Sequence, residues 1–333
     1  MNMKLYHTLR MLPLLALMQL GAASCDYIHE DIEPCDHYLH FSYTYNMLSA
    51  DAFVPQMTNQ ETAKQVELFI YDEAGQFLRS QTISSAELET NRIQLDLEPG
   101  TYQLLAWAGL NDTDYTWTKP EAGDNIDDWQ VRVNGVTDCV ERELLGLFQG
   151  RMTLTIPEGG ETDTEFPLVK NTNKIRFVLI DANSGTEVST NDYTVMAVTT
   201  NGDLDANNQP ISDDTFVWTP YTKSVEQVND LEGNAVYQAV CMELNTLRLI
   251  DGSANQLQIR HDGEELPFLH VSLTDLLLLT QMESHDMTAQ EYLDRQDEYV
   301  IMLYLDTTGG TAHCLEIIVN DWTIRLDDVN LGR

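Results

Sequence analysis

Apolar and polar side chains alternate along most of this chain. Between residues 36 and 45, Leu39, Phe41, Tyr43 and Tyr45 are separated by His40, Ser42 and Thr44. That period of two sends one face of an extended strand into a core and the other into water. The same period marks 65–71, where Val66, Leu68 and Ile70 share a face, and further strands are predicted over 76–83, 92–97 and 101–108. Turn residues at 72–75 and 98–100 punctuate them. In Leu97-Glu98-Pro99-Gly100-Thr101 the proline presets the first turn dihedral and the glycine supplies the positive one. Residues 111–134 carry Trp117 and Trp129 without a clear period and read as a long loop, followed by a strand at 151–156.

Residues 157–164, PEGGETDT, have the composition of a linker. A second strand series begins at Phe166 and runs through 174–181, 193–200, 235–244, 256–261, 267–273, 299–305, 312–319 and 322–326. One helix is predicted, because Thr288 and Glu291 stand at capping-box spacing ahead of 292–298. Many short strands with few helical periods predict an all-β chain of two β-sandwiches in tandem, with a short helix in the second. On this reading 25–160 form the N-terminal domain and 161–333 the C-terminal one.

The first 24 residues break the pattern. Lys4 and Arg10 precede an apolar run at 11–20 and the small residues Gly21, Ala22, Ala23 and Ser24, which is the anatomy of a signal peptide. The apolar run is too short for a membrane-spanning helix, which needs about 20 residues. Small residues directly before Cys25 resemble a lipobox, in which the cysteine thiol is acylated and becomes the first residue. Ala22 stands where that motif usually has leucine, and the alternative is a plain secretory signal cut near Cys25. Asp26, Glu30, Asp31 and Glu33 then form a polar tether. By analogy with acidic tracts of other outer-membrane lipoproteins, it favours display on the outer face.

Charge narrows the partners. With 54 acidic against 18 basic residues the formal charge is -36, which repels phosphate backbones and anionic headgroups, so nucleic acid is excluded as a natural partner. So acidic a protein cannot hold a membrane by charge attraction and would need acyl chains, each buried methylene contributing about 0.8 kcal/mol. The 43% of hydrophobic residues places the chain among folded proteins.

Candidate chemistry is sparse. If Cys25 is acylated, Cys35, Cys139, Cys241 and Cys314 remain, an even number in an exported protein. The simplest of three connectivities pairs Cys35 with Cys139 and Cys241 with Cys314; the alternative is free thiols buried in strands. Asp203, Asp205 and Asn207 offer oxygens at alternate positions, as a calcium loop does. Asn208 occupies the place of the sharp-turn glycine, and Asp214 that of the closing glutamate, which favours a plain hairpin. His313 and Cys314 are adjacent on a predicted strand and point to opposite faces, so they form no nucleophile and base. No HExxH, GxSxG, P-loop, GxGxxG or CxxC pattern occurs. No cofactor and no enzymatic activity are expected. Trp117, Trp129 and Trp218 could stack on a glycan or simply fill cores.

Several stretches together carry a resemblance. They are CDYIHEDIEPCDHYLHFSYTYNMLSADAF, VELFIYDEAGQFL, LEPGTYQLLAWAG, LLGLFQGRMTLTI, FPLVKNTNKIRFVLID, YLDRQDEYVIMLYL and IIVNDWTI. In this order the chain resembles the FimB-type fimbrillin-associated anchor family, fimbrial lipoproteins of the Bacteroidales. The resemblance implies two transthyretin-like sandwiches in the anchoring or accessory subunit of a fimbrium, lipid-anchored to the outer membrane. Its partners would be fimbrial subunits joined by strand complementation, in which backbone pairing gives affinity and alternate side chains give specificity. The segments expected to take part are 39–45, with Leu39, Phe41, Tyr43 and Tyr45, and the closing strand, with Trp322, Ile324 and Leu326. A fimbrial tip adhesin and a surface glycan-binding lipoprotein are the competing readings.

Overall fold

The alternation at the start of the chain is realised in the strand His37–Ser42, where Leu39 and Phe41 are fully enclosed and the residues between them only partly so. The computed structural model describes residues 36–46, 50–60, 64–135, 137, 139–183, 187–229, 236–281, 286–320 and 322–324. The signal peptide at 1–24, Cys25, Cys35 and Leu326 lie outside the described residues.

His37–Ser42 is the middle strand of a three-stranded sheet, with Thr162–Pro167 parallel on one side and Ile93–Leu95 antiparallel on the other. This sheet faces a five-stranded one in the order Val169–Lys170, Phe148–Ile156, Gly100–Ala108, Val66–Asp72 and Phe77–Ile83. Leu39, Phe41 and Phe166 from the first meet Leu68, Ile70, Leu104 and Phe148 from the second in one core. Phe53, on the helix Phe53–Thr58, caps the core edge-on to Phe148 at 5.2 Å and to Phe41 at 5.7 Å. Enclosing each such side chain stabilises by about 1.5–3 kcal/mol.

The linker expected at 157–164 joins two sheets of one sandwich. Thr162–Pro167 pairs with His37–Ser42 from His37↔Thr162 to Ser42↔Pro167, and Phe166 and Leu168 lie in the first core. The strand expected to open the second half therefore completes the first. The reason is local: Pro157 and the turn glycines, with Gly160 at φ +94, fold the chain back on itself. After Val169–Lys170 only Asn171, fully buried, separates this sheet from the first strand of the next, Thr172–Asp181.

Thr172–Asp181 lies inside a six-stranded sheet ordered Thr222–Asn229, Val236–Leu247, Thr172–Asp181, Glu298–Asp306, His313–Val319 and Trp322–Ile324. It faces a five-stranded sheet of Cys139–Val140, Phe216–Trp218, Tyr193–Thr199, Gln256–His261 and Leu269–Ser272. Phe177, Met242, Ile301 and Ile317 from one sheet and Val195, Trp218, Leu257 and Ile259 from the other share the larger core. Phe177, Val178, Leu179 and Ile180 are buried on both faces, which explains a continuous apolar run where alternation would be expected.

Residues 111–134 are not the loop that was expected. Tyr115–Trp117 and Gln130–Val133 pair with each other, and Asp203–Asp205 adds a third strand to them. This small sheet covers the outer face of the first sandwich, where Trp129 stacks on Trp107 at 4.7 Å. Strands of three or four residues are too short to display a period. The helix Ala289–Arg295 begins where predicted, with Thr288 Oγ1 accepting from the Glu291 amide at 3.1 Å. Phe53–Thr58, Ser85–Thr90 and Leu273–Leu278 are further short helices. Among the described residues no helix is long and apolar enough to cross a membrane.

Candidate functional site

The first predicted assembly element is an inner strand. Both sides of His37–Leu39 are already paired, and cross-strand side chains tie the remainder to Thr162–Pro167: His37 Nδ1 with Thr162 Oγ1 at 2.9 Å, His40 with Asp163 at 3.0 Å, and Ser42 Oγ donating to Glu165 at 2.6 Å. Where Ile93–Leu95 stops, Asn91 takes over. Its side-chain oxygen accepts from Phe41 N at 3.0 Å and its amide donates to Phe41 O at 2.7 Å. Asn91 holds φ +46, a left-handed conformation that asparagine tolerates, at the end of the helix Ser85–Thr90. Leu39, Phe41 and Tyr43 are thus spent in this chain's own core, while Tyr45 is half-buried and packs against Tyr43 at 6.4 Å.

The second predicted element sits at an edge. Trp322–Ile324 pairs on one side with His313–Val319, in the register Val319↔Trp322, Ile318↔Thr323 and Ile317↔Ile324, and among the described residues it is outermost in the six-stranded sheet. Thr323 is exposed. At the opposite edge, Thr222–Asn229 has an alternating exposed face and was not foreseen, because its polar composition hides the strand.

Polar contacts lock the two halves together. Asn46 N donates to Arg295 O at 2.8 Å and its side chain to Tyr292 O at 2.9 Å, so the end of the first-strand segment is tied to the helix Ala289–Arg295. Lys170 pairs with the buried carboxylate of Asp297. At the junction the side-chain amides of Asn171 and Asn208 exchange hydrogen bonds at 2.7 and 2.9 Å, and within the second half Arg248 steadies the helix Ala289–Arg295 through a two-pronged contact with Asp294 at 2.7 and 2.8 Å. Burial, followed by the nearby Asp297 charge, holds the Tyr43 and Tyr45 hydroxyls above the usual phenol range. None of these residues carries a motif signal. They become legible only once the fold brings residues far apart in sequence together.

The remaining candidates resolve individually. Cys139, Cys241 and Cys314 are free thiols, and the expected Cys241–Cys314 bridge is corrected. Their strands are separated by Thr172–Asp181 and Glu298–Asp306. Three strand spacings are about 14 Å, whereas a disulfide needs its Cα atoms within about 7 Å. Burial pushes the Cys314 thiol up to about 11 and also raises that of Cys241. The Cys35–Cys139 pairing rests on Cys35, which lies outside the described residues.

The calcium candidate is a hydrogen-bonded turn. Asp205 accepts from the amides of Asn207 and Gln209 at 2.8 and 2.9 Å, Asp203 from Arg132 at 3.0 Å, and Asn207 from Arg151 at 2.7 Å. Asp203 Oδ2, Asp205 Oδ1 and Asn207 Oδ1 are met by protein donors, Asp203 Oδ1 is buried without one, and no group of three or more histidine, cysteine, aspartate or glutamate side chains that could hold a metal stands among the described residues. Of the three tryptophans, Trp129 and Trp218 are fully buried, and Trp218 Nε1 donates to Thr199 at 2.7 Å, so neither offers a face to a glycan. Trp117 is half-buried beneath the Lys119 ammonium at 4.8 Å.

Comparison with known proteins places this geometry. A crystal structure of a Bacteroides thetaiotaomicron protein described as a candidate adhesin is similar over 89% of this chain and 99% of its own, at 27% identity and a TM-score of 0.76. A second from the same organism, described as a candidate polysaccharide-binding protein, matches over 88% and 99% at 25% identity and 0.73. The Porphyromonas gingivalis fimbrial anchor protein Mfa2 shares the fold over 88% and 99% at 15% identity and 0.65. None of the curated proteins compared matches the chain. The family model for fimbrillin-A associated anchor proteins Mfa1 and Mfa2 matches residues 32–328, and the chain belongs to that family.

Proposed function

We propose that this chain is a non-catalytic outer-membrane lipoprotein, acylated at Cys25, that anchors a fimbrium at the cell surface. The observation that carries the reading is the central place of His37–Ser42 between Thr162–Pro167 and Ile93–Leu95. In strand complementation a subunit is joined by filling a slot in a neighbour's sheet. A chain whose slot is filled by its own first strand accepts nothing there and ends the fibre. The edge at Trp322–Ile324, unpaired on its outer side among the described residues, is then the element offered to the next subunit, with Leu326 as its continuation in sequence. Family membership supports a fimbrial subunit as the partner. Residues 25–36 can reach at most about 40 Å when extended, enough to hold the sandwiches beside the bilayer on their acidic tether.

The experiment is recovery of fimbriae with the cell envelope. Cys25→Ser should release this chain and the attached fimbrial subunits together into the medium, whereas truncation after Asn320 should leave it membrane-bound and without them. Envelope retention of the Cys25→Ser chain, or undiminished fimbriae on the truncated chain, would refute the reading. The similarity to structures described as adhesin and polysaccharide-binding candidates favours a second one, glycan contact by the same surface protein.

A further inference from the structure

The contact between Lys170 and Asp297 joins positions 127 apart in sequence and crosses from the first half to the second. Both ends are fixed by the backbone. Lys170 stands opposite Phe148 in a strand ladder, and the main-chain carbonyl of Asp297 accepts from Lys174 N at 2.8 Å. The two side chains are only 15% and 2% exposed. Aromatic rings close around them. The lysine nitrogen lies 5.8 Å from the centre of the Phe148 ring, and the Asp297 charge acts on the buried hydroxyls of Tyr43 and Tyr299.

As an ion pair this contact is poorly served. A buried pair is favourable only when further hydrogen bonds meet its remaining lone pairs and protons. Asp297 Oδ2 is held by Lys170, but Oδ1 is buried with no donor. Among the described residues the lysine ammonium donates to no other protein group. Condensing the two groups removes both charges at once and leaves a neutral amide in their place. The nitrogen already touches Oδ2, one bond from the carboxyl carbon that it would attack.

We propose that Lys170 and Asp297 close an isopeptide bond, a covalent cross-link between the two halves of the chain. The step needs no reagent from outside. The ammonium passes a proton to the carboxylate, which leaves an amine and a carboxylic acid. Nζ then attacks Cγ, the C–N bond forms, and the C–O bond to the protonated oxygen breaks. Nζ gives one further proton to the departing hydroxyl, so a single water leaves. A cleft of about 260 Å³, walled in part by Tyr45, Phe148 and Lys170, gives that water a way out. Holding the reacting groups together replaces a chance encounter between them. Freshly folded chain contains the ion pair, and the amide accumulates from it.

The test is intact-mass spectrometry on the purified mature chain carrying Cys25→Ser. The folded chain should weigh less than its sequence by one water, and proteolysis should yield a branched peptide joining Lys170 to Asp297. Chain refolded from urea should lose the water with time, whereas chain kept in urea should not. Lys170→Arg keeps a cation beside Asp297 but offers no amine, and should hold its full mass. The branched peptide is read on the chain with Lys170 in place, so the result does not depend on how the variant folds. Full mass throughout, with no branched peptide, would overturn the proposal. So would a water loss that persists in Lys170→Arg, which would come instead from a cyclised aspartate such as Asp251 or Asp262, each followed by glycine.

Discussion

Asn91 brackets the backbone of Phe41, accepting from its N–H at 3.0 Å and donating to its carbonyl at 2.7 Å, and so extends the pairing of the first strand past the end of Ile93–Leu95. A side chain fifty positions away does the work of a neighbouring strand. Asn91→Ala loses both bonds, leaves Phe41 backbone groups unsatisfied and forces a left-handed φ on alanine. A loss of about 2–4 kcal/mol is expected. Asn91→Gly keeps the dihedral freedom and should lose less. Urea unfolding of the two variants measures the difference.

The pair Lys170–Asp297 joins the two halves at side-chain exposures of 15% and 2%. Lys170→Met strands a buried carboxylate and should cost about 3–5 kcal/mol. Adding Asp297→Leu removes that charge and should recover most of the loss. A double-mutant cycle by chemical denaturation gives the coupling, and its absence would mean that the halves do not depend on this contact.

Trp129 stacks on Trp107 and seals the outer face of the first sandwich. Trp129→Ala should cost about 3–5 kcal/mol by opening a cavity. Calorimetry measures the loss.

Most of the fold was legible in the chain because half-buried strands write their alternation into it, as at Leu39, Phe41 and Tyr43 or Val66, Leu68 and Ile70. What escaped has physical causes. The strands Tyr115–Trp117 and Gln130–Val133 are shorter than one readable period, and Thr222–Asn229 has no deeply buried face to mark it. The helix Ser85–Thr90 did carry a signal, Ser84 three residues before Glu87, and the Glu87 carboxylate accepts from Ser84 N and Oγ at 2.8 and 2.6 Å. The contacts between the two halves could not be read at all. Lys170 meets Asp297, and Asn46 the backbone of Arg295, only through tertiary packing.

The thiols respond to pH in one direction. Burial raises Cys241 and brings Cys314 up to about 11, so the folded chain holds these protons more tightly than the unfolded one. Their contribution is fully present below the ordinary thiol range near pH 8.5. It is lost as pH rises through the folded value. Iodoacetamide at pH 8 should leave both unmodified in native protein and label both after unfolding. Peptide mapping without reductant should find them unpaired.

The central claim is that this chain meets its fimbrial partner by strand addition at the edge Trp322–Ile324, its own first strand being already in place. Thr323 is exposed on that edge, opposite Ile318. A photo-crosslinking amino acid at position 323 in living cells tests it most directly. The account predicts a covalent adduct between this chain and a fimbrial subunit, reduced when the same probe replaces His40 on the filled inner strand. Fimbriae retained on the envelope with no adduct at 323, or with crosslinking through position 40 instead, would contradict it.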